Sequence, residues 1–178
     1  MGSIEDYMRQ AIKQVEYNPA GLVYGNQTIL TIDPGVRGCG LALFWRHQLV
    51  CAEYRRLEPD QIVCGLEKEL AEVSPLVFIE KPVVRRGALQ KGDQRDIVDL
   101  AIAVGQLKQG LSMHEVTLLT PESWKGQVPK PIMLARIEMC LSPGERANIL
   151  EHRKTYRHNA VDAVGIGLSL LKRLNRPR

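Results

Sequence analysis

Three acidic residues stand where the sequence around them is apolar. Asp33 closes the run Ile29-Leu30-Thr31-Ile32, Glu80 closes Leu76-Val77-Phe78-Ile79, and Asp162 interrupts the apolar face of the last expected helix. If the two runs are neighbouring strands packed on that helix, the three carboxyl groups converge. Two carboxylates about 4 Å apart repel by roughly 4 kcal/mol at an effective dielectric of 20, and a divalent cation is the simplest remedy. Hard oxygen donors that leave room for water suit Mg2+. A pair of such ions suits phosphodiester hydrolysis, with one activating water and the other stabilising the leaving oxygen. Asp33 alone, before Pro34-Gly35, reads equally well as a turn residue; the three acids together are what point to chemistry.

The elements that must position these acids can be read from periodicity. Thr28 to Asp33, Gly40 to Trp45 and Gln48 to Tyr54 are rich in β-branched, aromatic and apolar residues and are separated by short turns, which predicts a three-stranded meander. A polar helix is expected over about Asp60 to Val73. Leu76 to Ile79, a short continuous apolar run ending in Glu80, has the form of a strand buried on both faces. Between Gly92 and Leu111 the residues Ile97, Leu100, Ala101, Val104, Leu107 and Leu111 recur at helical spacing. Val116 to Leu119 makes a fifth strand. Helices are then expected to begin at Thr120-Pro121, Lys130-Pro131 and Ser142-Pro143, since proline suits the first helical turn, and a last helix covers Arg157 to Leu174. At the front, Ser3 with Asp6 approximates a capping box, and Ile4, Met8, Ala11, Ile12 and Val15 predict a helix over residues 3–17, stopped by Asn18-Pro19-Ala20-Gly21. Strands that first meander and then alternate with helices define an α/β mixed sheet.

The bulk properties narrow the class. A chain of 178 residues, 44% hydrophobic, buries one good core and is short for two. No run approaches the roughly 20 apolar residues of a membrane span, and the first residues lack the form of a signal peptide, so a cytoplasmic protein is expected. Cys39, Cys51, Cys64 and Cys140 show no paired spacing; buried reduced thiols are expected rather than a zinc site or a disulfide framework. Charge is unevenly placed. Residues 1–80 hold 7 Lys and Arg against 11 Asp and Glu, whereas residues 81–178 hold 17 against 9. The second half is therefore the part suited to a polyanion.

Three segments carry a family resemblance. Ile32-Asp33-Pro34-Gly35-Val36-Arg37-Gly38-Cys39-Gly40-Leu41-Ala42, Val77-Phe78-Ile79-Glu80 and His158-Asn159-Ala160-Val161-Asp162-Ala163 resemble, in order, the first-strand, fourth-strand and C-terminal motifs of the RuvC family of Holliday junction resolvases. Gly105-Gln106-Leu107 and Trp124 to Lys130 fall where that family has its central helix and a lysine-containing segment, and the likeness runs from about residue 29 to 172.

The resemblance implies an RNase H-like fold over residues 28–178: a five-stranded mixed sheet flanked by helices, with residues 1–27 as an N-terminal helical extension. It implies a homodimeric endonuclease that cuts branched DNA, a four-way junction above all, with two Mg2+ ions per active site, Mn2+ being able to substitute, and no small-molecule cofactor. Asp33, Glu80 and Asp162 take the roles of metal-binding carboxylates. The family's fourth ligand falls at Asn159, with His158 one residue earlier; both share a helical face with Asp162, so the fourth position rests between them, with His158 also a candidate proton carrier. Where the family often has an aromatic wedge after Glu80, this chain has Lys81-Pro82-Val83-Val84-Arg85-Arg86. Lys81, Arg85, Arg86, Lys91 and Arg95, with Lys125 and Lys130, are expected to meet DNA phosphates, while Trp124 is expected mainly as a packing anchor. A YqgF-like RNA-processing nuclease and a non-catalytic junction-binding protein are the alternatives; an actin-like ATPase would require a second Asp-x-Gly motif and a longer chain.

Overall fold

The computed structural model of the chain describes residues 27–70, 73–84, 93–150 and 154–174. Its centre is a five-stranded sheet of order β3-β2-β1-β4-β5, built from β1 (Thr28–Gly35), β2 (Gly38–Trp45), β3 (Gln48–Arg55), β4 (Leu76–Glu80) and β5 (Glu115–Leu119). β1 pairs antiparallel with β2 and parallel with β4, β2 pairs antiparallel with β3, and β4 pairs parallel with β5. This is the expected mixed sheet. The expected helix over residues 3–17 lies outside the described residues, as do Arg85, Arg86 and Lys91.

Strand alternation sends successive side chains to opposite faces, and both faces of this sheet are covered. Leu30 and Ile32 of β1, with Val77 and Ile79 of β4, pack under α1 (Pro59–Glu69) and α2 (Gln94–Gly110). Ile29 and Phe78 face the opposite way, toward α6 (Lys154–Leu170) and its neighbour α4 (Lys130–Cys140). Short helices α3 (Pro121–Trp124) and α5 (Pro143–Ala147) complete that layer. The proline-led starts behave as predicted: Pro121 and Pro143 sit in first turns, and Ser142 and Glu145 form a reciprocal capping box.

Several boundaries and faces differ from expectation. β1 runs two residues past Asp33, to Gly35, because Asp33 still pairs with Gly40 across the hairpin. α6 ends at Leu170, four residues early. The apolar stripe of α2 is buried only in its second half, at Val104 and Leu107 and on to Leu111, whereas Ala101 is exposed along with Val98 and Ile102. Cys39 and Cys51 are buried as expected, and burial pushes both thiols up to about 12; Cys64, on the outer side of α1, is exposed. All four are free. No helix among the described residues is long and apolar enough to cross a membrane.

Two local devices fix the layers. The outer edge of β3 is covered by the segment after α5: Ala52 N–H donates to the Asn148 carbonyl and Leu150 N–H to the Ala52 carbonyl, at 2.9 and 2.7 Å, leaving less open edge for unwanted pairing. Beyond α6, the Arg173 guanidinium donates to both carboxylate oxygens of Glu145, at 2.6 and 2.9 Å, and to the carbonyls of His47 and Cys140. Glu145 also accepts from the Leu49 and Ser142 N–H groups. One buried carboxylate thus joins β3, α5 and the chain beyond α6.

Candidate active site

Asp33 shares the sheet face of Ile29 and Thr31, and Glu80 shares that of Phe78, so both carboxyl groups are presented to the α6 side. The parallel register matches Ile32 with Ile79, which sets Asp33 and Glu80 side by side at the same end of neighbouring strands. α6 comes to them because of a glycine: a Cβ at Gly40, the β2 partner of Asp33, would lie 2.1 Å from the Asn159 carbonyl oxygen. The helix backbone is seated directly on that missing side chain. Asp162, buried at 8% exposure, is one helical turn further on. Two positions nearer the start of β1, the buried Thr31 hydroxyl donates to the Ala163 carbonyl at 2.7 Å and fixes the helix along the strand.

The electrostatics reflect this convergence. Burial, then the charges of Glu80 and Asp162, push the Asp33 carboxyl well above the usual carboxylate range, while Lys125 and Lys130 act in the opposite sense. Glu80 accepts a hydrogen bond from the Trp124 indole N–H, and its other oxygen is 3.5 Å from the Lys125 ammonium. Lys130 donates to Asp162 at 2.8 Å. Lys125 also lies over the Trp124 ring, 4.8 Å from its centroid. The site thus gathers three carboxyl groups from β1, β4 and α6, two ammonium groups, and an indole.

Of the residues singled out in the sequence, Asp33, Glu80 and Asp162 are brought together, and Lys125 and Lys130 are turned inward to them. His158 is exposed and Asn159 half-buried; among the described residues neither side chain bonds to a carboxylate of the site. Lys81 and Arg95 are exposed, as phosphate contacts would need. Trp124 exceeds its expected packing role, being both core and donor to Glu80. The available signal was chemical: a buried indole N–H seeks an acceptor, and the nearest odd carboxylate belonged to the same predicted sheet.

Among the described residues, no group of three or more His, Cys, Asp or Glu side chains is close enough in this conformation to hold a metal ion. The donor chemistry nonetheless fits one. Three carboxyl groups interact strongly enough that burial and the charges of Glu80 and Asp162 raise the Asp33 carboxyl, and the only cations drawn in among the described residues are two lysines.

No family model matches the chain, and no curated protein matches it by sequence. Among solved structures, it is similar to RuvC of T. thermophilus in complex with a Holliday junction substrate, at 17% identity and a TM-score of 0.55, over 81% of this chain and 92% of that one. It is also similar to the yeast mitochondrial Holliday junction resolvase, at 9% identity and a TM-score of 0.46, over 87% of this chain and 83% of that one. The chain therefore has the RNase H-like fold, as RuvC does.

Proposed function

We propose that the protein is a divalent-metal-dependent endonuclease that cuts branched DNA, four-way junctions in particular, by phosphodiester hydrolysis. The observation that carries this is the gathering of Asp33, Glu80 and Asp162 from β1, β4 and α6 on one face of this fold, where burial and the charges of the other two acids push the Asp33 carboxyl well above the usual carboxylate range. In this reading the three carboxylates hold Mg2+, two ions per site with Mn2+ as substitute, and His158 or Asn159 completes the set. When bound, such ions supply an activated water and stabilise the leaving oxygen. The remaining work falls to the chain. Trp124 and Thr31 hold Glu80 and α6 in place, and the exposed Lys81 and Arg95, with Arg85, Arg86 and Lys91 of the segment between them in sequence, grip phosphates. Such contacts position DNA without reading its sequence.

Two symmetric cuts require two sites related by a twofold axis, so the active form is a homodimer; the exposed Val98 and Ile102 of α2 suit an apolar contact between copies. The test is a gel assay with a mobile four-way junction, a linear duplex, a flap and a structured RNA, each with and without Mg2+. Junction cutting that needs Mg2+ and disappears in Asp33→Asn, with junction binding retained, is the expected result. Preferential cutting of the RNA would favour an RNA-processing nuclease, and binding without cutting a non-catalytic junction binder.

A further inference from the structure

Lys130 occupies an unfavourable place for its charge. It is the first residue of α4, where the N-terminal end of the helix dipole repels a cation and no acidic residue lies in the first turn to offset it. Its ammonium is nevertheless drawn 2.8 Å from Asp162. Lys125, at the other end of the same connecting segment, reaches Glu80 at 3.5 Å. Between them Gly126 takes a left-handed conformation, φ 59°, with open space around it. Trp124 anchors one end in the core. Two of the three acids thus direct an oxygen to a tethered ammonium, and the donors do not close on a shared point.

We infer that Lys130, assisted by Lys125, is a built-in counter-cation that competes with divalent metal for the carboxylates and must leave Asp162 for the metal to be held. The inference rests on reading these acids as metal ligands. The Lys130 side chain is 55% exposed while Asp162 is 11% exposed, so the ammonium has water to move into and the carboxylate does not. In its displaced position the same ammonium is free for a phosphate of the DNA, which makes metal loading and phosphate capture successive uses of one side chain. The pair also serves the metal-free chain, because it keeps a buried carboxylate from standing uncompensated.

The competition is read by calorimetric titration of Mn2+ into the full chain, without DNA. Lys130→Met is expected to bind Mn2+ about two- to tenfold more tightly than wild type, the range set by the modest strength of a partly exposed ion pair. Lys130→Arg, which keeps the charge, stays within about twofold of wild type on the same scale. Arg37→Met, which removes an exposed cation four positions from Asp33 that makes no ion pair among the described residues, also stays within about twofold. Unchanged or weaker binding by Lys130→Met overturns the inference, and so does equal tightening by Arg37→Met, since a general loss of positive field would then suffice. If wild type binds Mn2+ and Asp33→Asn does not, while Lys130→Met is unchanged, the inference fails and the metal centre stands. If neither wild type nor Lys130→Met binds, both fail. Should Lys130→Met not fold, Lys125→Met reads the same competition through Glu80 with the same expected direction.

Discussion

The Thr31 hydroxyl donates to the Ala163 carbonyl across 132 positions of sequence, at 2.7 Å. Thr31 is two residues before Asp33 on the same face of β1, and Ala163 adjoins Asp162, so this bond sets the register between two acids of the site. Thr31→Val keeps the shape and removes the donor. The expected cost in denaturant unfolding is about 0.5–1.5 kcal/mol, while junction cleavage falls by about tenfold or more because a small misplacement of reacting groups is expensive. An unchanged cleavage rate would show that the register is held elsewhere.

Asp33→Asn is expected to melt at a higher temperature than wild type at neutral pH. Burial and the negative neighbours raise the folded-state value of this carboxyl, whereas the unfolded chain keeps the ordinary value of about 4. Below that value Asp33 is protonated in both states and carries no penalty. As pH rises toward the raised folded value, ionisation increasingly favours the unfolded chain. The advantage of Asp33→Asn therefore grows with pH across this window, and melts in chelator at a series of pH values check it. Added Mn2+ should raise the melting temperature of wild type and leave that of Asp33→Asn unmoved.

Gly40→Ala tests the seating of α6. The new methyl group would meet the backbone of Asn159 and Ala160, at 2.1 to 2.9 Å, and neither is a flexible side-chain end that can turn aside. The expected loss of stability is about 1–3 kcal/mol or more, with weaker Mn2+ binding by calorimetry because Asp162 is pushed from the sheet. Full stability in the variant would mean that α6 has room to move.

Trp124→Phe keeps most of the apolar body and removes the indole N–H that Glu80 accepts. Hydrogen bonds to charged groups contribute about 1.5–3 kcal/mol, so a measurable loss of stability is expected in chelator. A larger proportional loss is expected in the Mn2+-dependent cleavage rate, since Glu80 is freed to rotate.

Acid should loosen the far end of the molecule first. Burial pushes the Glu145 carboxyl up, but hydrogen bonds from Arg173, then from the Leu49 and Ser142 N–H groups, outweigh it and hold the value down to about 2. The folded value is below the unfolded one, so this stabilisation is complete above the ordinary Glu value near 4.5 and is lost as pH falls toward 2. Glu145→Gln leaves Arg173 without its counter-charge and is expected to cost about 3–5 kcal/mol, measured by denaturant unfolding at pH 7; the difference from wild type should shrink in acid.

The architecture was legible because strands and helices announced themselves in composition and period: the apolar, β-branched runs of the meander and the continuous run in β4 marked strands of the sheet, and the proline-led starts marked three helices. The acids of the site were legible because each broke an apolar pattern. The Glu145 network was not, since Glu145, Arg173 and Leu49 are unremarkable singly and meet only through the tertiary path of the chain. The ion pairs of Lys125 with Glu80 and Lys130 with Asp162 were not legible, because nothing in the sequence around a lysine says which way its ammonium turns. Ala101 belongs by period to the apolar stripe of α2 and is nevertheless exposed, because period fixes which residues share a face, not how much of that face the rest of the chain covers.

The third carboxylate of the site comes from α6, the last helix among the described residues, and this bears on how the protein comes into being. During synthesis the meander and the α1–β4 segment leave the ribosome before Asp162 does. Until α6 docks on Gly40, the chain carries two acids on one sheet face and no finished site. On the function proposed above, an unfinished copy would lack a complete site, and cutting would be confined to molecules whose fold has closed.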